Sequence, residues 1–135
     1  MASIFSKIIA GEIPSYQVAE TANFIAFLDI SPRTAGHTLV VPKQEVDYIF
    51  DLDAATYAAL WTFARQVAAA VEKAVPCERV GVAVIGLEVP HTHIHLIPIN
   101  SVGDVNFSRP AATLTKQEYE EIAQEISQAF QATNE

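Results

Sequence analysis

The sequence predicts an α+β fold: a five-stranded antiparallel sheet with one long helix packed on it and a helix towards each end. Three observations carry this expectation. Five short runs of β-branched and apolar residues are joined mostly by brief turns. One segment, the longest periodic one, keeps a helical apolar period for about twenty residues. Capping signals open a helix near each end.

The first helix is read over Ser3–Ala10, with Ser3 as its cap and Gly11 and Pro14 ending it. Tyr16–Ala19 and Phe24–Leu28 read as strands with a turn over Glu20–Asn23. Ser31-Pro32-Arg33 and Ala35-Gly36 read as a loop, and His37–Val41 as a third strand stopped by Pro42. The long helix spans Asp53–Val75. Leu52, Tyr57, Leu60, Trp61, Ala64, Val67, Ala68 and Val71 recur at its spacing, Asp51 or Asp53 can cap it, and Pro76 ends it. Val80–Ile85, broken by Gly86, and Thr92–Pro98 are the last two strands. Asn100–Ala112 is polar and irregular. Thr115-Lys116-Gln117-Glu118 is a capping box that opens a final helix through Tyr119, Ile122, Ile126 and Phe130.

The 135 residues fit one domain over 1–135, and an apolar half of the composition suffices for one core. A formal net charge of −8 with eight Lys and Arg argues against a nucleic-acid surface. Any anionic ligand must then be held by local donors. Cys77 is the only cysteine, which excludes an intramolecular disulfide and a cysteine metal cluster, and it reads as a small apolar residue. The first residues lack a signal-type apolar run and no stretch is long enough to span a bilayer, so a cytoplasmic location is expected.

The four histidines carry the chemistry. His91, His93 and His95 alternate, and on a strand alternate side chains share a face. Thr92, Ile94 and Leu96 then point to the core, and three imidazoles face a cleft. Apolar packing does not account for such a row, because a buried imidazole needs hydrogen-bond partners.

Two chemistries suit it. In a metal site, neighbours two apart can share an ion across ~6.6 Å, but His91 and His95 lie ~13 Å apart along an extended strand. Further ligands would be required, and none is evident in the sequence. In nucleophilic catalysis, a neutral imidazole attacks phosphorus to give a phosphohistidine that water opens. Its neighbours donate hydrogen bonds to the phosphoryl oxygens and the leaving group. The alternating spacing matches this second chemistry without a metal.

His91-Thr92-His93-Ile94-His95-Leu96-Ile97 resembles the His-φ-His-φ-His-φ-φ signature of the histidine triad (HIT) superfamily, φ being apolar, with Thr92 the one semi-polar departure. Ile4–Pro14, Phe27–Pro32 and Gly36–Lys43 resemble the family's opening helix and its second and third strands. The likeness covers residues 3–100 and is nearest the Hint-like branch, which hydrolyses nucleoside phosphoramidates such as adenosine monophosphoramidate. It implies His93 as nucleophile and His95 on the α-phosphate and leaving group. His91 would orient the nucleophile, with His37 behind it. Phe5, Ile8, Phe27 and Ile30 would surround the base and Asp29 the ribose hydroxyls. From the residues alone, those four apolar side chains are core and Asp29 is a turn residue. The resemblance also implies a homodimer in which the helix around Tyr57–Val71 and the strand from Val80 pair across a two-fold axis.

Departures from the family pattern matter as much. Many bacterial relatives hold zinc through two cysteines, a histidine and the first triad histidine. Here those positions are Ser3, Ser6, Glu45 and His91, so no structural zinc and no cofactor is expected. The family's Gly-Gln-(Ser/Thr)-Val is Gly86-Leu87-Glu88-Val89, which puts Leu87 and Glu88 where relatives place an amide and a hydroxyl at the leaving group. Leu87 could instead pack on the opening helix. Val80 stands for an asparagine that contacts phosphate, and Ile99 for an arginine. The expected activity is hydrolysis of a purine nucleoside phosphoramidate or other nucleotidyl substrate, a small-molecule reaction without nucleic acid or membrane. A nucleotide-binding or interaction protein with residual activity, and a metal hydrolase, are the competing readings.

Overall fold

In a computed structural model, which describes residues 2–134, the elements follow the expected order. The Ser3 side chain accepts from the Ser6 N–H and starts α1 (Ile4–Ile9). Strands β1 (Gln17–Glu20), β2 (Phe24–Leu28) and β3 (Thr38–Pro42) form a meander. Asp53 caps α2 (Ala54–Ala74) by accepting from the Thr56 N–H, and the chain leaves the helix at Val75, before Pro76. Strands β4 (Arg79–Ala83) and β5 (Ile94–Ile99) follow, and α3 (Lys116–Asn134) closes the chain. Its capping box is present: the Glu118 N–H donates to Thr115 Oγ1 at 3.1 Å and the Thr115 N–H to Glu118 Oε1 at 2.8 Å. Among the described residues, no helix is long and apolar enough to cross a membrane.

The five strands form one sheet in the order β1-β2-β3-β5-β4, and every neighbouring pair is antiparallel. The expected fold class is the observed one. β5 lies between β3 and β4, with His95 opposite Leu39 on one side and Ala83 on the other.

Alternation divides the sheet into two apolar faces. Phe24, Ala26, Leu28, Val40, Ile94 and Leu96 pack under α2 and α3 with Leu60, Phe63, Val67 and Ile126. Truncating one of these, Leu60 for instance, would cost about 2–5 kcal/mol. Ile25, Phe27, Leu39 and Val41 point the other way and meet Phe5 and Ile8 of α1. The histidines share this second face, which α1 covers in part.

Every strand but β2 differs from the sequence reading at its ends: β1 runs one residue later, β4 starts at Arg79 and β5 ends at Ile99, and three further shifts have a visible cause. β5 begins at Ile94 and not Thr92, because the Thr92 N–H and hydroxyl both turn to the Val46 carbonyl, each at 2.7 Å. Backbone groups committed to that loop are lost to the ladder. β4 ends at Ala83, paired with His95, and not Ile85, which in that register would fall opposite His93, before β5 begins. β3 runs Thr38–Pro42, one residue later than expected. Gly36 turns the chain into it with φ +94°, where a Cβ would stand 2.9 Å from Val75 Cγ2.

Candidate active site

His95 projects from β5, His93 and His91 from the extended segment just before it, and His37 from the entry to β3. All four are buried, with His91 at 0% and His37 at 1% exposure. Their hydrogen bonds fix the tautomers, because a carbonyl oxygen only accepts and a backbone N–H only donates.

His93 Nδ1 is 2.7 Å from the His91 carbonyl, so Nδ1 carries the proton and Nε2 keeps its lone pair. His91 Nε2 is 2.8 Å from the Pro42 carbonyl and is therefore the donor there. Its Nδ1 accepts from Ser3 Oγ at 2.7 Å. The Arg33 N–H donates to His37 Nδ1 at 2.9 Å, so the His37 proton sits on Nε2 and points to His95 Nδ1, also at 2.9 Å. That leaves the His95 proton on Nε2.

For His37, His95 and His91 burial favours the neutral ring. Burial pushes His37 down to about 3, helped by the nearby Arg33 charge, and His95 down to about 4, helped by His37. His91 is also lowered by burial, against the opposing pull of the Pro42 carbonyl and the Glu45 carboxylate. One unprotonated imidazole nitrogen thus stands beside one imidazole N–H, on rings whose centres are 4.9 Å apart.

Aromatic rings flank the pair. Phe5 meets His93 edge-on at 5.0 Å, and Phe107 meets His95 at 5.1 Å. On its far side Phe5 meets Phe27 at 5.5 Å. Phe5, Ile8 and Phe27 therefore come together beneath α1, whereas Ile30 stands apart on the following loop, 74% exposed. Asp29 Oδ1 accepts from the Ser31 N–H at 2.8 Å, and Oδ2 lies 3.5 Å from His37 Nε2. Leu87 and Glu88 lie on the exposed loop after β4, Leu87 at 89% exposure. Leu87 does not pack on α1; Val89 is the loop residue that packs against the cluster of Phe5, Ile25, Phe27, Leu39 and Val41. A cavity of ≈ 420 Å³ opens beside this loop, with His93, Leu87, Tyr48, Tyr57 and Trp61 among its walls.

Two points of the sequence reading need correction. His37 stands behind His95 and not behind His91, because the Arg33–Gly36 turn delivers it to the His95 edge of β5. The orienting group for His93 is the backbone carbonyl of His91, and the His91 imidazole is itself held by Ser3 and Pro42. The fold also supplies metal-type donors that the sequence did not suggest: Asp29, His37 and His95 offer atoms within 4.8 Å of one another. An ion there would have to replace the proton shared by His37 and His95.

Ser3, Ser6, Glu45 and His91, the four positions at which the family resemblance raised a zinc site, also meet in space. The Ser3 N–H and the Ser6 hydroxyl both donate to Glu45 Oε1, at 2.7 and 2.6 Å. These bonds hold the Glu45 carboxyl at about 2. With the Ser3 hydroxyl committed to His91, the four side chains satisfy one another. Two hydroxyls, a carboxylate and one imidazole do not fit zinc.

The sequence reading passed over Arg33, Phe107, Ser3 as a partner of His91, and the Pro42 carbonyl. One signal was available: Phe107 is the only aromatic in the polar stretch from Asn100 to Ala112. The others depend on contacts between residues far apart in the chain.

Comparison with known proteins agrees with this geometry. A family model described as HIT domain matches residues 10–102. An uncharacterized HIT-like protein of Borreliella burgdorferi is 33% identical over 132 residues, 92% of this chain and 95% of that one. An adenosine 5'-monophosphoramidase of Schizosaccharomyces pombe is 32% identical over 133 residues, 94% and 97% of the two chains. Among solved structures, a HIT-like protein from Bartonella henselae superposes with TM-score 0.81 at 33% identity, covering 94% of this chain and 95% of its own. A zinc-bound histidine triad family protein from Mycobacterium smegmatis reaches TM-score 0.82 at 26% identity, covering 99% and 96%. A family model across most of the chain, and relatives one-third identical along nearly their whole length, establish that the chain belongs to the HIT family.

Proposed function

We propose that this chain hydrolyses a purine nucleoside phosphoramidate, or a related nucleotidyl substrate, through a covalent nucleotidyl-histidine on His93. One observation carries the reading: the His91 carbonyl holds the proton of His93 on Nδ1 and leaves Nε2 free to attack. The lone pair of Nε2 forms the bond to the α-phosphorus as the bond to the leaving group breaks. His95 Nε2–H passes its proton to the departing amine; the negative charge left on that ring is balanced by the positive charge that forms on the phosphorylated His93 ring beside it and is steadied by His37 Nε2–H at Nδ1. Water then attacks the phosphorus, gives up a proton to His95 and releases His93.

Phe5, Ile8 and Phe27 would floor the base site with Ile30 at its rim, Asp29 would accept from the ribose hydroxyls, and Leu87 and Glu88 would border the leaving group. The reaction uses no metal, and a cytoplasmic nucleotide is the natural substrate. Trapping tests this directly. Enzyme mixed with an α-³²P nucleoside phosphoramidate and quenched within one turnover should carry label in wild type and none in His93→Ala. Steady-state turnover should fall by ~10⁴-fold or more in that variant and stay unchanged with a chelator. Substantial turnover by a folded His93→Ala would refute the assignment.

The exposed Leu87 and Glu88 favour a second reading, a nucleotide-binding protein with residual activity, since the loop offers no side-chain amide to the reaction. Labelled enzyme that never turns over would support it.

The chain is also proposed to act as a homodimer. β4 is an edge strand with Val82 half exposed, and Arg65, Ala68, Ala69 and Glu72 of α2 line an open groove beside it. Light scattering on a sizing column should give twice the 14.7 kDa chain mass. A monomer at micromolar concentration would count against this.

A further inference from the structure

Arg33 touches the histidine relay in two ways. Its backbone N–H donates to His37 Nδ1, which sets the proton on His37 Nε2 and aims it at His95. Its guanidinium reaches across to the segment after β5. Nη1 donates to the carbonyls of Asn106 and Arg109, at 3.0 and 2.6 Å, and Cζ lies 5.4 Å from the centre of the Phe107 ring. Phe107 in turn lies 5.1 Å from the His95 ring and 6.3 Å from His37. A backbone bond from the Ala112 N–H to the Pro32 carbonyl, 2.8 Å, closes the two loops a second time.

We infer that Arg33 and Phe107 form a clasp that positions His95 as the proton donor to the leaving group. The inference rests on the role proposed above for His95. A proton donor helps only if its N–H is aimed and kept from competing water. His95 is held by His37 at Nδ1, by His93 along one edge and by Phe107 along another. Removing Phe107 opens that third side. The groups that face the relay are Arg33, Asp29 and His93. Arg33 also disfavours protonation of His37, which keeps the relay in the tautomer that leaves Nε2–H on His95. Lysine at position 33 would retain the backbone bond but has no planar guanidinium to lay over the Phe107 ring. Arg33 Nε is buried without a hydrogen-bond partner, so the stack and the two carbonyl bonds are what hold the guanidinium.

The test separates proton donation from general damage. Two adenosine 5'-phosphoryl substrates are compared, one with an alkylamine leaving group that must be protonated and one with p-nitrophenol, which departs as the anion. Wild type, Phe107→Ala, Phe107→Leu and Arg33→Lys are assayed beside their thermal melts. The ratio of kcat on the amine to kcat on the phenol ester should fall by about tenfold or more in Phe107→Ala. Phe107→Leu, which refills much of the contact, should recover part of it, and Arg33→Lys should fall between. KM should change less than kcat. Equal losses on both substrates, or an unchanged ratio in folded variants, would overturn the clasp. Should Phe107→Ala fail to fold, the ratio in Arg33→Lys decides. If wild-type turnover of the phenol ester survives His93→Ala, the hydrolase reading itself fails and the clasp falls with it.

Discussion

The two flanks of His93 are built by opposite rules. Towards β3 and α1 the His91 and His37 rings are buried with both nitrogens committed, His91 to Ser3 and Pro42 and His37 to Arg33 and His95, and His95 is fixed through Nδ1 with its Nε2–H left free. Towards the loop after β4 the chain is open, with Gly86 at φ +73°, Leu87 89% exposed and Glu88 exposed. On the mechanism proposed above, the first flank is preorganised for attack and proton donation before any substrate arrives. The second supplies no fixed dipole to charge that develops at the leaving group. Preorganised donors of that kind accelerate a reaction as strongly as any other single device a protein has, so the weak flank should limit the rate.

Restoring a donor to the open flank is the sharpest way to break this contrast. Leu87 borders the cavity beside His93 and packs on nothing, so glutamine there should fold and reach inward. A single donor of this kind is worth ~3 kcal/mol, or ~10²-fold in rate. Leu87→Gln should therefore raise kcat/KM towards that limit, with an unchanged melting temperature. Glu88→Ala should lower kcat/KM only a few-fold, because Glu88 is exposed and not the partly buried acid that could protonate an amine. A well-folded Leu87→Gln with unchanged or reduced kcat/KM would show that the open flank is not where the rate is lost.

The same contrast marks how far the sequence could be read. Alternation placed His91, His93 and His95 on one face and Ile94 and Leu96 on the other, because side-chain period in an extended chain is a local property. Capping placed α1, α2 and α3 for the same reason, through Ser3, Asp53 and Thr115. Contacts that close over long loops were not legible. The His37–His95 bond spans 58 residues, the Ser3–His91 bond 88 and the Arg33–Arg109 bond 76. Each depends on how β3, α1 and the segment after β5 fold back on the sheet. The ends of β4 and β5 shifted because one threonine, Thr92, chose the Val46 carbonyl over the ladder, a choice no periodicity records.

The buried flank should also make stability sensitive to acid, and the sign follows from His37. In the unfolded chain its pKa is the ordinary 6.5, and in the fold burial holds it at about 3. Above pH 6.5 both states are neutral at this site and stability is flat. Below 6.5 the unfolded chain takes up a proton that the folded chain refuses, so stability is lost progressively as pH falls towards 3. His95 and His91 act in the same direction. The depressed carboxylates, Glu20, Glu45, Asp53 and Asp104, lose their contribution only as pH drops below their ordinary values of 4.5 and 3.8. Through most of the window from pH 6.5 to 4.5 His37, His95 and His91 therefore dominate, and His37 by itself accounts for about 2 kcal/mol across it. Urea melts at pH 7.5 and 5.0 should show wild type losing stability on acidification. His37→Gln, although less stable at pH 7.5, should lose markedly less between the two. Equal stability of wild type at both pH values, or an equal loss in His37→Gln, would mean that the imidazole gains a proton in the fold as readily as out of it, and the neutral relay from Arg33 to His95 could not then be the resting state.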